Sequence, residues 1–145
     1  MKRTEIKQLF SAPQDFDGAE TTVCGWVRTI RDSKAIGFIE LNDGSAFKNL
    51  QVILEQGTLS NFSEIVKLNV GSAITVHGRV VLTPEAKQPL EIHAESVEVE
   101  GLSTPDYPLQ KKRHSLEFLR SIAHLRPRTN TFEAVFRVRS VAAFA

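Results

Sequence analysis

Apolar and β-forming residues gather in five short stretches between polar turn residues, which predicts strands over residues 23–31, 36–41, 50–54, 73–82 and 90–99. Turn residues punctuate them. Asp17-Gly18 precedes the first stretch and Asn42-Asp43-Gly44 closes the second; Gly57, Thr83-Pro84 and Gly101 close the third, fourth and fifth. Two stretches have helical spacing instead. Residues 4–10 carry Ile6, Leu9 and Phe10. Within residues 58–70, Phe62, Ile65, Val66 and Leu68 form an apolar face behind Ser60 or Asn61 as cap, and Gly71 stops the pattern.

The resulting order, β-β-β-α-β-β, is that of an OB-fold, an all-β five-stranded Greek-key barrel with added helices. A small sandwich would leave the helix between the third and fourth strands without a reason. From residue 103 the character changes. Residues 103–110 hold Pro105 and Pro108 and read as an extended linker. Leu116, Leu119, Ile122 and Ala123 follow at helical spacing behind Ser115, and Pro127 breaks that helix. Asn130 and Glu133 have the spacing of a capping box, and residues 132–145 are helix-compatible throughout. No stop signal precedes Ala145, so the helix is expected to be cut there. Its apolar residues Val135, Phe136, Val138 and Val141 then need another surface. The expected organisation is a barrel over 1–103, a hinge with a short helix over 104–128 and a truncated helical start of a further domain over 129–145.

Alternation also sorts side chains by face. Gly37, Ile39 and Leu41, then Leu50, Val52 and Leu54, then Leu90, Ile92 and Ala94 point inward. Phe38, Glu40, Gln51, Glu91 and His93 point outward. The first strand needs a bulge near Thr29 to fix the direction of Arg31. An outward aromatic, amide, arginine and carboxylate on one barrel suit single-stranded nucleic acid. Bases stack on aromatic rings, an amide matches the O4 acceptor and N3–H donor of uracil, and a carboxylate matches two adjacent N–H groups of guanine. The plainer alternatives stay open at this point: Phe38 packed under a loop, and Gln51 and Glu91 as solvated strand residues. Trp26 reads as packing at the barrel edge, and Cys24 as small core. His77, His93, His114 and His124 lack metal spacing and read as structural or surface.

Composition alters this picture little; charge alters it more. With 41% hydrophobic and 24% charged residues, the chain has ordinary globular composition. It has no apolar run long enough to span a membrane and no apolar stretch of a secretory signal at its start. The single cysteine excludes an internal disulfide. A cytoplasmic setting is expected. The net charge of +1 conceals two opposed halves. Residues 1–104 carry ten Lys and Arg against fourteen Asp and Glu, a net of −4, and residues 105–145 carry eight against three, a net of +5. Lys111, Lys112 and Arg113 lead the basic part; such a run is solvated charge by default and a phosphate contact otherwise. No glycine-rich phosphate loop and no nucleophile motif is present.

The run Gly25-Trp26-Val27-Arg28-Thr29-Ile30-Arg31-Asp32-Ser33-Lys34, followed by Gly37-Phe38-Ile39-Glu40-Leu41-Asn42-Asp43-Gly44-Ser45 and Asn49-Leu50-Gln51-Val52, resembles the anticodon-binding barrel of class IIb aminoacyl-tRNA synthetases. These are the aspartyl, asparaginyl and lysyl enzymes. Asp106-Tyr107-Pro108-Leu109-Gln110-Lys111-Lys112-Arg113-His114-Ser115, with Glu117-Phe118-Leu119-Arg120 and His124-Leu125-Arg126-Pro127-Arg128-Thr129-Asn130, resembles the asparaginyl members. The resemblance implies that Phe38 stacks on the central anticodon uridine, that Gln51 reads it, that Arg31 assists and that Glu91 lies near the wobble guanine. Arg28 and Lys34 would add backbone contacts. It further implies a tRNA(Asn) anticodon loop as partner, no membrane partner, and a homodimeric parent ligase that uses ATP and Mg²⁺. The motifs for those cofactors are expected beyond Ala145, leaving none in this chain and the chain alone inactive. A general single-strand-binding module, a protein-binding barrel, and aspartyl or lysyl specificity are the rival expectations.

Overall fold

The computed structural model describes residues 3–145. It forms two compact units, one reaching to Tyr107 and the other Pro108–Ala145. In the first, helix α1 (Ile6–Ser11) leads through a 3-10 turn (Pro13–Phe16) into strands β1 (Glu20–Ser33), β2 (Ile36–Asn42) and β3 (Leu50–Glu55). Helix α2 (Phe62–Ile65), β4 (Ala73–Leu82) and β5 (Leu90–Gly101) follow. The strands close into a barrel in the order β1-β2-β3-β5-β4, the five-stranded OB-fold that the sequence pattern predicts. Neighbours are antiparallel except β3 and β5, which run parallel.

Strand β1 is longer than its alternation suggests because it serves two partners. Glu20 to Trp26 pair with β4, and Trp26 to Ser33 pair with β2. The β1–β2 ladder shifts between Val27 and Thr29, so Arg28 forms the expected bulge. Beyond it the register sets Arg31 opposite Phe38. The inward residues of alternation form the core: Ile39, Leu41, Leu50, Val52, Leu54, Leu90 and Ile92 are fully buried.

Helix α2 is shorter than its apolar pattern. Asn61 precedes it but does not cap it with its side chain; its amide donates instead to the Val97 carbonyl oxygen at 2.9 Å. Phe62 and Ile65 are buried in the barrel core. The chain then turns through Gly71, at φ +90, whose N–H donates to the Val27 carbonyl oxygen at 2.8 Å. Helix α1 is held at its start by the β2–β3 loop. Its Ile6 and Lys7 N–H groups donate to Asp43 Oδ2 and Ser45 Oγ, each at 3.0 Å, which satisfies helix N-terminal donors that have no partner within the helix.

The second unit holds helix α3 (Leu116–Ser121), a 3-10 turn (Arg126–Arg128) and helix α4 (Asn130–Phe144). Ser115 caps α3 as expected, its hydroxyl accepting from the Phe118 N–H at 3.2 Å. The capping box expected at Asn130 and Glu133 is not formed. The 3-10 turn brings the chain into the helix one residue early, so Thr129 is the cap position, and its hydroxyl donates backward to the Arg126 carbonyl oxygen. Glu133 pairs one turn onward with Arg137 at 2.9 Å. Val135, Phe136, Val138 and Val141 are all exposed on α4. Among the described residues no helix is long and apolar enough to cross a membrane.

A shift in the β4–β5 ladder between His77 and Gly78 demands a residue without a side chain. A Cβ on Gly78 would fall on the His93 carbonyl oxygen and lie 2.9 Å from the Ala94 Cα. Backbone on both strands cannot move aside without breaking the ladder. Gly78→Ala should therefore cost about 1–3 kcal/mol through overpacking. Urea unfolding should show a lower midpoint at unchanged slope; an unchanged midpoint would contradict the close approach.

Candidate nucleic-acid interface

The outer face of β1, β2, β3 and β5 carries two adjacent rows of side chains, both fixed by strand register. One row runs Arg31, Phe38, Ile53, His93; the other runs Thr29, Glu40, Gln51, Glu91. The bulge at Arg28 is what aligns β1 with these rows. Without it every β1 residue beyond Val27 would face the other way. The four residues singled out from the sequence thus lie on one continuous face. Arg31 is exposed, and Phe38, Gln51 and Glu91 are half-buried.

Polar contacts tie much of the face together. Gln51 Nε2 donates to Glu91 Oε2 at 3.1 Å, and Glu91 Oε1 lies 3.1 Å from His93 Nε2. His93 Nδ1 is 3.7 Å from Glu55 Oε1. The path crosses between the two parallel strands and surrounds Ile53, which is only 7% exposed although it points outward. On the other side of Gln51, Glu40 Oε2 accepts from Asn49 Nδ2 at 3.0 Å. Asn49 Oδ1 accepts in turn from Asn42 Nδ2 at 3.1 Å, and Asn42 Oδ1 takes the Gly44 N–H at 2.8 Å. The loop that reads from sequence as a turn therefore also anchors a carboxylate on the face.

Phe38 and Gln51 combine a ring face with an amide edge. Gln51 uses one Nε2 hydrogen internally and retains the second, together with the acceptor Oε1. Glu91 has a donor on each oxygen and a side chain only 16% exposed, so it is both a hydrogen-bonding group of the face and part of its framework. Arg28 occupies the bulge, and Lys34 sits exposed in the β1–β2 turn at φ +58. Lys111, Lys112 and Arg113 are exposed in the second unit, ahead of α3.

Alternation alone could not reveal Glu55, His93, Glu40 and Asn49 as participants. His93 and Glu40 were placed outward by alternation, but their partners depend on the parallel β3–β5 register and on the β2–β3 loop. Trp26 is exposed at the barrel edge, and Cys24 is half-buried, accepting from the Thr75 hydroxyl at 3.4 Å.

A family model described as an OB-fold nucleic acid binding domain, tRNA anti-codon, matches residues 21–100. Asparagine–tRNA ligase of Acetivibrio thermocellus is 66% identical over 145 residues, which cover this whole chain and 31% of that protein. The chain thus spans about a third of the length of such relatives. The crystal structure of asparaginyl-tRNA synthetase from Pyrococcus horikoshii complexed with asparaginyl-adenylate is similar with a TM-score of 0.84 at 22% identity, covering 97% of this chain and 32% of that one. Aspartyl tRNA synthetase from Entamoeba histolytica follows with a TM-score of 0.80 at 21% identity, covering 97% and 35%. At these identities the structural likeness concerns the fold.

The geometry separates Phe38 from the core by its exposure. Phe38→Ala should cost less than about 1.5 kcal/mol of folding stability, whereas Ile39→Ala, one residue on and fully buried, should cost about 2–5 kcal/mol. Equal losses in chemical denaturation would make Phe38 a packing residue.

Proposed function

The chain belongs to the tRNA anti-codon family of OB-fold nucleic acid binding domains, and we propose from that premise that its barrel reads the anticodon loop of tRNA(Asn) for an asparagine–tRNA ligase. The observation that carries the reading role is the single outer face on which Arg31, Phe38, Gln51 and Glu91 meet. The asparagine–tRNA ligase part rests on a relative 66% identical along all 145 residues.

In this reading Phe38 offers its ring to the central anticodon base, and stacking holds that base without choosing it. Choice falls to Gln51, whose amide presents a donor and an acceptor to the O4 and N3–H of uracil. Arg31, exposed beside Phe38 in register, reaches a carbonyl or phosphate oxygen of the bound loop. Each Glu91 oxygen keeps a second lone pair for the N–H groups of the wobble guanine. Arg28 and Lys34 track the RNA backbone, and Lys111, Lys112 and Arg113 add cations from the hinge. The proposed organisation is a barrel over 1–103, a hinge over 104–128 and the start of a class II catalytic domain over 129–145.

The whole ligase, in this proposal, is a cytoplasmic homodimer that activates asparagine with ATP and Mg²⁺ and transfers it to the tRNA. Among the described residues, no group of three or more His, Cys, Asp or Glu could hold a metal ion. In this proposal residues 1–145 contribute tRNA selection to that ligase.

Binding of anticodon stem-loops tests the proposal. Phe38→Ala should weaken affinity by about 1–3 kcal/mol, and unchanged affinity would remove the stacking role. A stem-loop with central uridine should bind more tightly than one with central cytidine. Equal affinity for both, with a steep salt dependence, would make the barrel a general single-strand binder. No RNA binding at any salt would make the face a protein-docking surface.

A further inference from the structure

We infer that His93 and Glu91 act as positioning residues that fix which way round the Gln51 amide faces the base, and so set the preference for uracil over cytosine. The inference rests on the proposed reading of a base by Gln51 and adds the device that makes that reading directional.

Uracil and cytosine present mirror-image hydrogen-bonding edges to an amide. Uracil offers an acceptor at O4 beside a donor at N3–H; cytosine offers a donor at N4 beside an acceptor at N3. A glutamine amide matches either, because turning it over by 180° exchanges its donor and acceptor. For a base fixed by stacking on Phe38, the amide orientation therefore decides which pyrimidine is accepted. A freely turning glutamine would discriminate little.

Gln51 is not free to turn. Its Nε2 lies 3.1 Å from Glu91 Oε2. A carboxylate has only acceptors, so the amide nitrogen, and not its oxygen, must face Glu91. Turned over, Gln51 would set its carbonyl oxygen against the carboxylate, two acceptors in contact. Glu40, the register partner of Gln51 on its other side, has Oε2 engaged by Asn49 and is a carboxylate as well.

Glu91 in turn needs a fixed conformation to exert this control, and His93 supplies it. The ring Nε2 lies 3.1 Å from Glu91 Oε1. Since Glu91 only accepts there, the imidazole must present Nε2–H. The other ring nitrogen lies 3.7 Å from Glu55 Oε1 on β3. Gln51 and Glu55 on β3 thus engage the two ends of the Glu91–His93 pair on β5, with Ile53 on the same face between them. Arg79, the register partner of His93 on β4, is engaged elsewhere, with Glu20 at 3.5 Å and the Gly18 carbonyl oxygen at 3.0 Å. The link from His93 to Gln51 therefore runs through Glu91.

The test measures the affinity ratio between stem-loops with central uridine and central cytidine, using the 145-residue chain. His93→Leu should lower the uridine preference about fivefold, the worth of one net hydrogen bond, mainly by tightening cytidine binding relative to uridine. His93→Gln, whose amide N–H can replace the ring Nε2–H, should restore most of the preference. In a Gln51→Ala background, His93→Leu should leave the ratio unchanged, because the residue through which it acts is gone. If the unsubstituted chain shows no uridine preference, the reading by Gln51 fails and the inference falls with it. A wild-type preference that survives His93→Leu overturns the inference alone, and so does an equal loss for both RNAs. Nitrogen NMR of the His93 ring in the unsubstituted chain gives a reading independent of variant folding. A proton on Nε2 is expected, and a bare Nε2 would overturn the relay.

Discussion

Closing five strands into one barrel forces a single parallel pairing, β3 against β5, and the outer face depends on it. The pairing sets Gln51 beside Glu91 and Ile53 beside His93. In a parallel pair the neighbouring residues of both strands advance together along the sheet. Side chains can then link across the seam and along a strand, as the path from Gln51 across to Glu91, along β5 to His93 and back to Glu55 does. The same closure buries Val52 and Ile92 on the inner side. Barrel stability and the ordering of the polar face are thus two sides of one ladder.

The bulge at Arg28 and the close approach at Gly78 are local departures from regular pairing that serve this arrangement. The bulge turns the end of β1 so that Arg31 lies beside Phe38. The glycine lets β4 come against the backbone of His93 and Ala94. A barrel with a net charge of −4 over residues 1–104 gains little from phosphate attraction alone. Under the proposed function its affinity comes from stacking and base-edge hydrogen bonds, and the basic residues from 105 onward supply the counter-charge. The near-neutral whole is the sum of an acidic part and a basic part.

Much of this was legible in residue order. Period-two alternation separated Ile39 and Leu41 from Phe38, and Val52 from Gln51, because each strand has one buried and one open face. The bulge was foreseeable because the pattern of β1 could not otherwise fix the direction of Arg31. The parallel register was not legible: it arises from barrel closure between segments forty residues apart, and alternation carries no information about it. For that reason residue order leaves His93 as a structural or surface residue and gives Glu55 no role. The start of α4 was misplaced for a local reason. Asn130 offers a cap, but the 3-10 turn at Arg126–Arg128 decides where the helix begins and makes Thr129 the cap. Helix α2 is shorter than its apolar pattern because Leu68 lies past the helix and packs against the core from the segment that follows it.

The most direct test maps contacts on the face itself. Backbone and side-chain amide shifts of the chain, followed by NMR during titration with an anticodon stem-loop bearing a central uridine, should change most at Arg31, Phe38, Gln51, Glu91 and His93. Thr75, Glu98 and Glu100, around the barrel on β4 and β5, should change little. Shifts centred on that second group, with Gln51 and Phe38 unmoved, would contradict the assignment of the face.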